Sequence, residues 1–305
     1  MKAHANAVAA ITIRQTAWPS SGFLQGGIES RLHWLFRCAV FLEFTGHGAC
    51  GIHTKSAWLP YFHVFAIPDA MAWRLMPLIG SIDIALGVMA LFRPCRALLV
   101  YMVVWGGFTA LLRPAAGEGA WEFIERSYNY GVPLAFLLLH AAGRPAGWFA
   151  PLQLPAPLCA GSQRTLVWTL RIIVALMLVG HGGFGAFMGK ANLLVFYRAA
   201  GLSHLGLPLE MLRAGIGFLE IGLGVLAVIT NRPAFFGFIC LWKLASESLY
   251  LFAGMPVACW EVVERGGSYL APLALLCALA PAFGPPPEPA PAAPACALPN
   301  PVGGP

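Results

Sequence analysis

Charge is scarce in this chain. Lys and Arg number 19 and Asp and Glu 13, so that only 10% of its 305 residues are charged while 58% are hydrophobic. A soluble protein of this size needs more charge to cover its surface, and that class is excluded. Basic runs are missing too. The net charge of +6 is scattered singly over the ends of apolar stretches, a pattern that orients membrane spans, and no nucleic-acid partner is expected. The eight cysteines show no CxxC and no metal-type spacing. Cys38, Cys95, Cys240 and Cys277 fall in or beside apolar stretches, where Cys behaves as a small hydrophobe. Cys50 and Cys259 lie at helix ends on one predicted side, where a disulfide is an alternative to free thiols. The apolar run from Ala5 to Ile13 is stopped by Arg14, too early for the core of a cleaved signal peptide.

Long hydrophobic runs are abundant instead. Stretches near membrane-spanning length occupy 32–52, 74–92, 95–113, 122–142, 165–188, 211–230, 233–254 and 262–283. The expected fold is therefore an all-α integral membrane protein with eight transmembrane helices and the lipid bilayer as its principal partner. Residues 1–31 read as an N-terminal tail and 143–164 as a linker. The Pro- and Ala-rich segment 284–305 cannot pack a core and is expected to be disordered.

The chain also repeats itself. Trp121-Glu122-Phe123-Ile124-Glu125-Arg126, with Tyr130 and Pro133-Leu134-Ala135, returns as Trp260-Glu261-Val262-Val263-Glu264-Arg265, with Tyr269 and Pro272-Leu273-Ala274. Charged residues at the edge of apolar helices are costly, and drift would not keep them in register twice. Upstream, Arg37 and Arg171 each stand nine residues before a Gly-His-Gly, at His47 and His181. Asp83 and Glu220 then occupy one position in matching glycine frames, 80–87 and 217–224, and Trp105 and Trp242 each follow the last glycine by eighteen residues. An even number of spans per repeat gives both halves one orientation. The expectation is two four-helix bundles, 32–142 and 165–283, side by side and related by an axis along the membrane normal. The short loops on the terminal face are purely basic (Arg93, Arg96, Arg144, Arg164, Arg232), which places both termini in the cytoplasm.

These repeats nominate a site. Within each half a His, an acid and a Glu–Arg block lie toward the outer leaflet: His47, Asp83, Trp105, Glu122, Glu125 and Arg126, then His181, Glu220, Trp242, Glu261, Glu264 and Arg265. Intramembrane ionisable groups face a bundle interior or a wet cavity, so each set is expected to converge on one outward cavity. The structural alternative has equal weight: the helix-two acids would merely bond a neighbouring helix, and the Glu–Arg blocks would form local ion pairs. Lys243 and Glu247 form an i, i+4 pair where the first half has Gly106 and Ala110, which makes the second half the preferred functional one. Two related histidines suggest haem or copper only weakly, because no second ligand pair accompanies them, and no metal site is expected.

Together these features resemble the DoxX-like superfamily of four-helix membrane proteins. They are the basic opening of helix one at Arg37, the Gly46 to Gly51 run leading to Lys55, Asp83 among small residues, and Glu125 to Tyr130. The second half offers Arg171, Gly180 to Gly185 with Lys190, Glu220, and Glu264 to Tyr269. The resemblance implies a tandem member in a bacterial inner membrane. It also implies an accessory, non-catalytic part in a redox or envelope system, touching quinone or a membrane oxidoreductase partner. A quinone-linked oxidoreductase subunit and a proton-coupled small-solute transporter are the alternatives.

Overall fold

The computed structural model describes residues 27–141, 147–255 and 257–280, so the expectations for the N-terminal tail before 27 and for 284–305 lie outside the described residues. The described residues are helical and contain no β-strand. Helix α1 (Ile28–Ile52) is followed by a short α2 (Leu59–His63), then α3 (Asp69–Phe92), α4 (Arg96–Ala115), α5 (Ala120–Glu125) and α6 (Ser127–Leu139). The second half runs α7 (Ala160–Ala186), α8 (Ala191–Ala199), α9 (Leu209–Ile229), α10 (Pro233–Glu247), α11 (Leu249–Phe252), α12 (Ala258–Glu264) and α13 (Gly266–Leu279).

Six helical stretches among the described residues are long and apolar enough to cross a membrane: α3, α4, α7, α9, α10 with α11, and α12 with α13. Two of the eight expected spans fall short of that standard, for identifiable reasons. Helix α1 carries Glu29, Arg31, Arg37 and Glu43 along its length. The stretch 120–139 carries three charges, Glu122, Glu125 and Arg126, in its first turns; it is also broken at Arg126, whose φ of −80° and ψ of 18° leave the helical region. Arg265 breaks the matching stretch in the second half with φ −86° and ψ 17°. No proline stands at either break.

Exposure separates inner from outer helices. Half or more of the apolar window of α7 and of α12–α13 is buried, but only about a quarter of those of α3, α4, α9 and α10. The outer helices present Leu78, Phe92, Val104, Phe218, Ile229 and Leu241 outward. Each such side chain would cost roughly 1.5–3 kcal/mol if held in water instead of an apolar phase, so this surface belongs in lipid. The inner helices bury Phe36, Val40, Phe136, Leu170, Val174 and Leu275 in one core common to both halves.

Two pairs of helices set the geometry of the site. Helix α1 packs along α3, and α7 along α9. At the first crossing Gly48 and Gly80 leave no room for a Cβ on either side; at the second, a Cβ on Gly182 or Gly217 would sit 2.5 Å from the other's carbonyl oxygen. At the ends away from the histidines Arg37 donates to the Phe92 carbonyl (3.1 Å) and Arg171 to that of Val228 (2.7 Å), closing the C-termini of α3 and α9 in the same way.

The two halves interleave where side-by-side bundles were expected. Helix α12 and the start of α13 lie on α1, while α5 and α6 lie on α7, so the fourth helix of each half packs on the first helix of the other. Cys50 and Cys259 are free thiols.

Candidate functional site

The glycine crossings bring each histidine against its acid. His47 Nδ1 lies 2.7 Å from Asp83 Oδ2, and His181 Nδ1 lies 2.5 Å from Glu220 Oε2. Both acids are only 1% exposed and both imidazoles are half-buried. An ionised carboxylate can only accept, so Nδ1 carries the hydrogen of each bond. The His47 ring stacks on Trp58, with centroids 4.6 Å apart. The longer Glu220 reaches a second donor as well, and its Oε1 accepts the Trp242 Nε1 hydrogen at 2.9 Å.

Beyond these pairs lies a buried ion network, built from both breaks. Arg126 donates to Glu264 Oε1 at 3.3 Å, and its Nε stands 3.8 Å from Glu125. Arg265 pairs with Glu247 and Glu261, each at 2.9 Å, and donates to the Tyr250 hydroxyl at 2.8 Å. Lys243, wholly buried, lies 2.6 Å from Glu247. Two lysines join the halves: Lys55 pairs with Glu261, and Lys190 with Glu122. Ions this deep persist only with their charges matched and hydrogen-bonded. Outside the spans, the Tyr61 hydroxyl donates to Glu118 at 2.5 Å. Burial pushes the Tyr61 phenol up from its ordinary value, further helped by the bond to Glu118 and opposed by nearby Arg113.

Two cavities open beside this network. The smaller, about 200 Å³, is walled by aromatic and aliphatic side chains such as Phe62, Phe65, Ile79 and Phe108, with His47, Trp105, Arg126 and Glu264 at its polar edge. The larger, about 860 Å³, is bordered by His181, Glu220 and Trp242, by Glu247, by Glu122, Glu125 and Arg126, and by Glu261 and Arg265. Trp58, Tyr61, Arg113 and Arg126 border both.

Each residue nominated from the sequence thus stands in or directly behind one of two adjoining cavities, but the grouping differs from the one expected. His47 meets Glu264 of the second half rather than Glu125 of its own. Glu122 and Glu125 stand instead in the cavity of His181. The cause is the close approach at Gly46 and Gly180, which seats each broken helix on the opposite half. Asp83 sits behind His47, and Lys243 behind Glu247. Sequence reasoning left Trp58, Tyr61, Arg113, Lys55 and Lys190 out of the site. For the two lysines a signal was present, since each follows a Gly-His-Gly by a similar interval.

Among the described residues, no three His, Cys, Asp or Glu side chains gather as metal ligands would. Comparison of the chain with models of protein families, with curated proteins and with solved structures found no match in any of the three.

Proposed function

We propose that this chain is a DoxX-like protein of a bacterial inner membrane, an accessory component of a redox or envelope system that touches quinone or a membrane oxidoreductase. In this reading it has eight spans, because α1 and the broken 120–139 stretch cross with the other six. Their charges are covered by protein: Glu43 is 3% exposed and Arg126 5%. The two halves are parallel repeats with both termini cytoplasmic, which the repeated His–acid pairs and matched helix breaks support. The observation that carries the function is the His47–Asp83 pair at the edge of an aromatic-walled cavity. A flat apolar ring fits such walls, and a His tied to a carboxylate can hold or pass the proton that accompanies a quinone's change of state. Purified in mild detergent, the protein should carry extractable quinone, and His47→Ala should lower its amount. Protein free of quinone at every step, with quinol turnover in the host membrane unchanged by its deletion, would remove this reading.

One observation favours proton-coupled transport as a second reading. Matched breaks at Arg126 and Arg265 border a cavity of about 860 Å³ between the halves, as discontinuous helices do in transporters built from repeats. Under it, Glu220→Gln should abolish proton-coupled uptake into vesicles at normal expression. Lost expression would point to a purely structural Glu220.

A further inference from the structure

The His–acid pairs differ by one methylene, and that difference leaves a gap on one side only. In the second half Glu220 spends one oxygen on His181 and the other on Trp242. In the first half Asp83 spends Oδ2 on His47, but Oδ1 is buried with no hydrogen-bond partner. Trp105, at the position of Trp242 in the repeat, likewise has its Nε1 buried and unpartnered. Replacing Glu by Asp withdraws the carboxylate by roughly one carbon–carbon bond, ~1.5 Å. If Trp105 and Asp83 stand as Trp242 and Glu220 do, the direct hydrogen bond of the second half opens in the first to a separation that one oxygen atom bridges with two bent bonds of about 2.8 Å. Such an atom must accept from the indole and donate to the carboxylate at once, which a hydroxyl does.

The gap adjoins an apolar chamber. Trp105 and His47 border the smaller cavity, and Asp83 stands one turn along α3 from Ile79, which borders it too. Asn129, 5% exposed and on the same wall, has its Oδ1 unpartnered as well. An unpartnered indole N–H on the wall of a lipophilic chamber, with an unpartnered carboxylate oxygen just behind that wall, forms a site for a polar-tipped apolar molecule. In the second half Lys243 and Glu247 replace Gly106 and Ala110, and the indole is already taken.

We propose that the first-half cavity binds a neutral, lipid-soluble phenol or alcohol through a single hydroxyl seated between Trp105 Nε1 and Asp83 Oδ1, and that Glu220 closes the equivalent position of the second half. The first half, not the second, is then the ligand-binding one, the reverse of the expectation drawn from Lys243 and Glu247. This stands apart from the quinone reading, since a phenol with no redox role is held by the same contacts.

The test is binding of a fluorinated para-alkylphenol to the full-length protein in lipid nanodiscs, followed by fluorine NMR against empty nanodiscs. Saturable binding of one phenol per chain is expected, weakened at least tenfold by Asp83→Glu and by Trp105→Phe. The methyl ether of the same phenol, which has no hydrogen to donate, should bind at least tenfold more weakly. Glu220→Asp should open the second position and raise the stoichiometry toward two. Thermal unfolding of each variant separates loss of the site from loss of the fold, and Glu220→Asp reports a gain that misfolding cannot imitate. No saturable binding to the wild type would mean that a bridging water alone fills the gap, and would overturn the proposal. Equal binding by the ether, or by a folded Asp83→Glu protein, would overturn it too. Phenol binding without any bound quinone would leave the proposal intact and count only against the redox reading.

Discussion

Gly180 of α7 lies so close to Glu125 of α5 that a Cβ on the glycine would stand 2.5 Å from the glutamate Cα. Gly46 of α1 meets Glu264 of α12 in the same way, again with a Cβ at 2.5 Å from the glutamate Cα. The two contacts are reciprocal: each half offers a glycine to the backbone just before the other half's helix break. They carry the Glu–Arg blocks across the midline and so decide which acid meets which histidine.

These contacts predict the outcome of single methyl additions. Gly46→Ala and Gly180→Ala meet backbone, which cannot swing aside, so each should cost ~1–3 kcal/mol by overpacking. Gly222→Ala, where a Cβ has nothing within 4 Å, should be neutral or slightly stabilising in its helix. Thermal unfolding in detergent ranks the three. Equal melting of Gly180→Ala and Gly222→Ala would show that the helices do not meet as described.

The Lys243–Glu247 pair should behave as a buried ion pair. Glu247→Ala strands a wholly buried ammonium and removes a partner of Arg265, with an expected loss of about 3–5 kcal/mol. The double variant Lys243→Met, Glu247→Leu should recover much of that, because apolar residues of similar volume replace buried pairs at little cost. A double-mutant cycle on unfolding free energies reads the coupling. Additive losses would mean that the two groups do not interact.

Tyr61 gives a pH dependence outside the spans. Its folded phenol titrates above the ordinary value of 10.0, chiefly through burial. The neutral phenol is the form the fold favours. Its stabilisation is therefore complete below the ordinary phenol value and falls as the pH climbs from there toward the raised value. Wild type minus Tyr61→Phe, compared by ultraviolet titration, should show no phenolate step near pH 10 for this residue. A normal step there would mean that Tyr61 is open to water.

Topology separates six spans from eight. Reporter fusions after Gly117 and after Ala146 should report opposite sides, with Ala146 cytoplasmic, if the broken stretch 120–139 crosses the membrane. The same side for both would return that stretch to the membrane surface.

Much of this arrangement was legible in the chain. Hydropathy is a local property, so the apolar helices follow from composition and length. The glycine frames around His47, Asp83, His181 and Glu220 marked close helix crossings, and a His beside such a crossing has few partners other than the acid opposite. The break at Arg126 was hidden, because neither proline nor glycine adjoins it, and the Gly266-Gly267 after Arg265 has no counterpart in the first half: the backbone bends where its arginine turns into a network that exists only after the halves meet. Lys55 and Lys190 escaped for the same reason, since their partners lie in the opposite half.

The sequence by itself determined that the chain is helical and apolar, that its charges recur in register, and that the two acids differ in length. Only the tertiary structure decided that Glu264 joins His47, that Glu122 and Glu125 join His181, and that Trp242 is satisfied where Trp105 is not. Helical periodicity and hydropathy act over a few residues and are written along the chain. Which helix end meets which depends on how closely distant backbones pack, and that is settled at Gly46 and Gly180 only when both halves are in place.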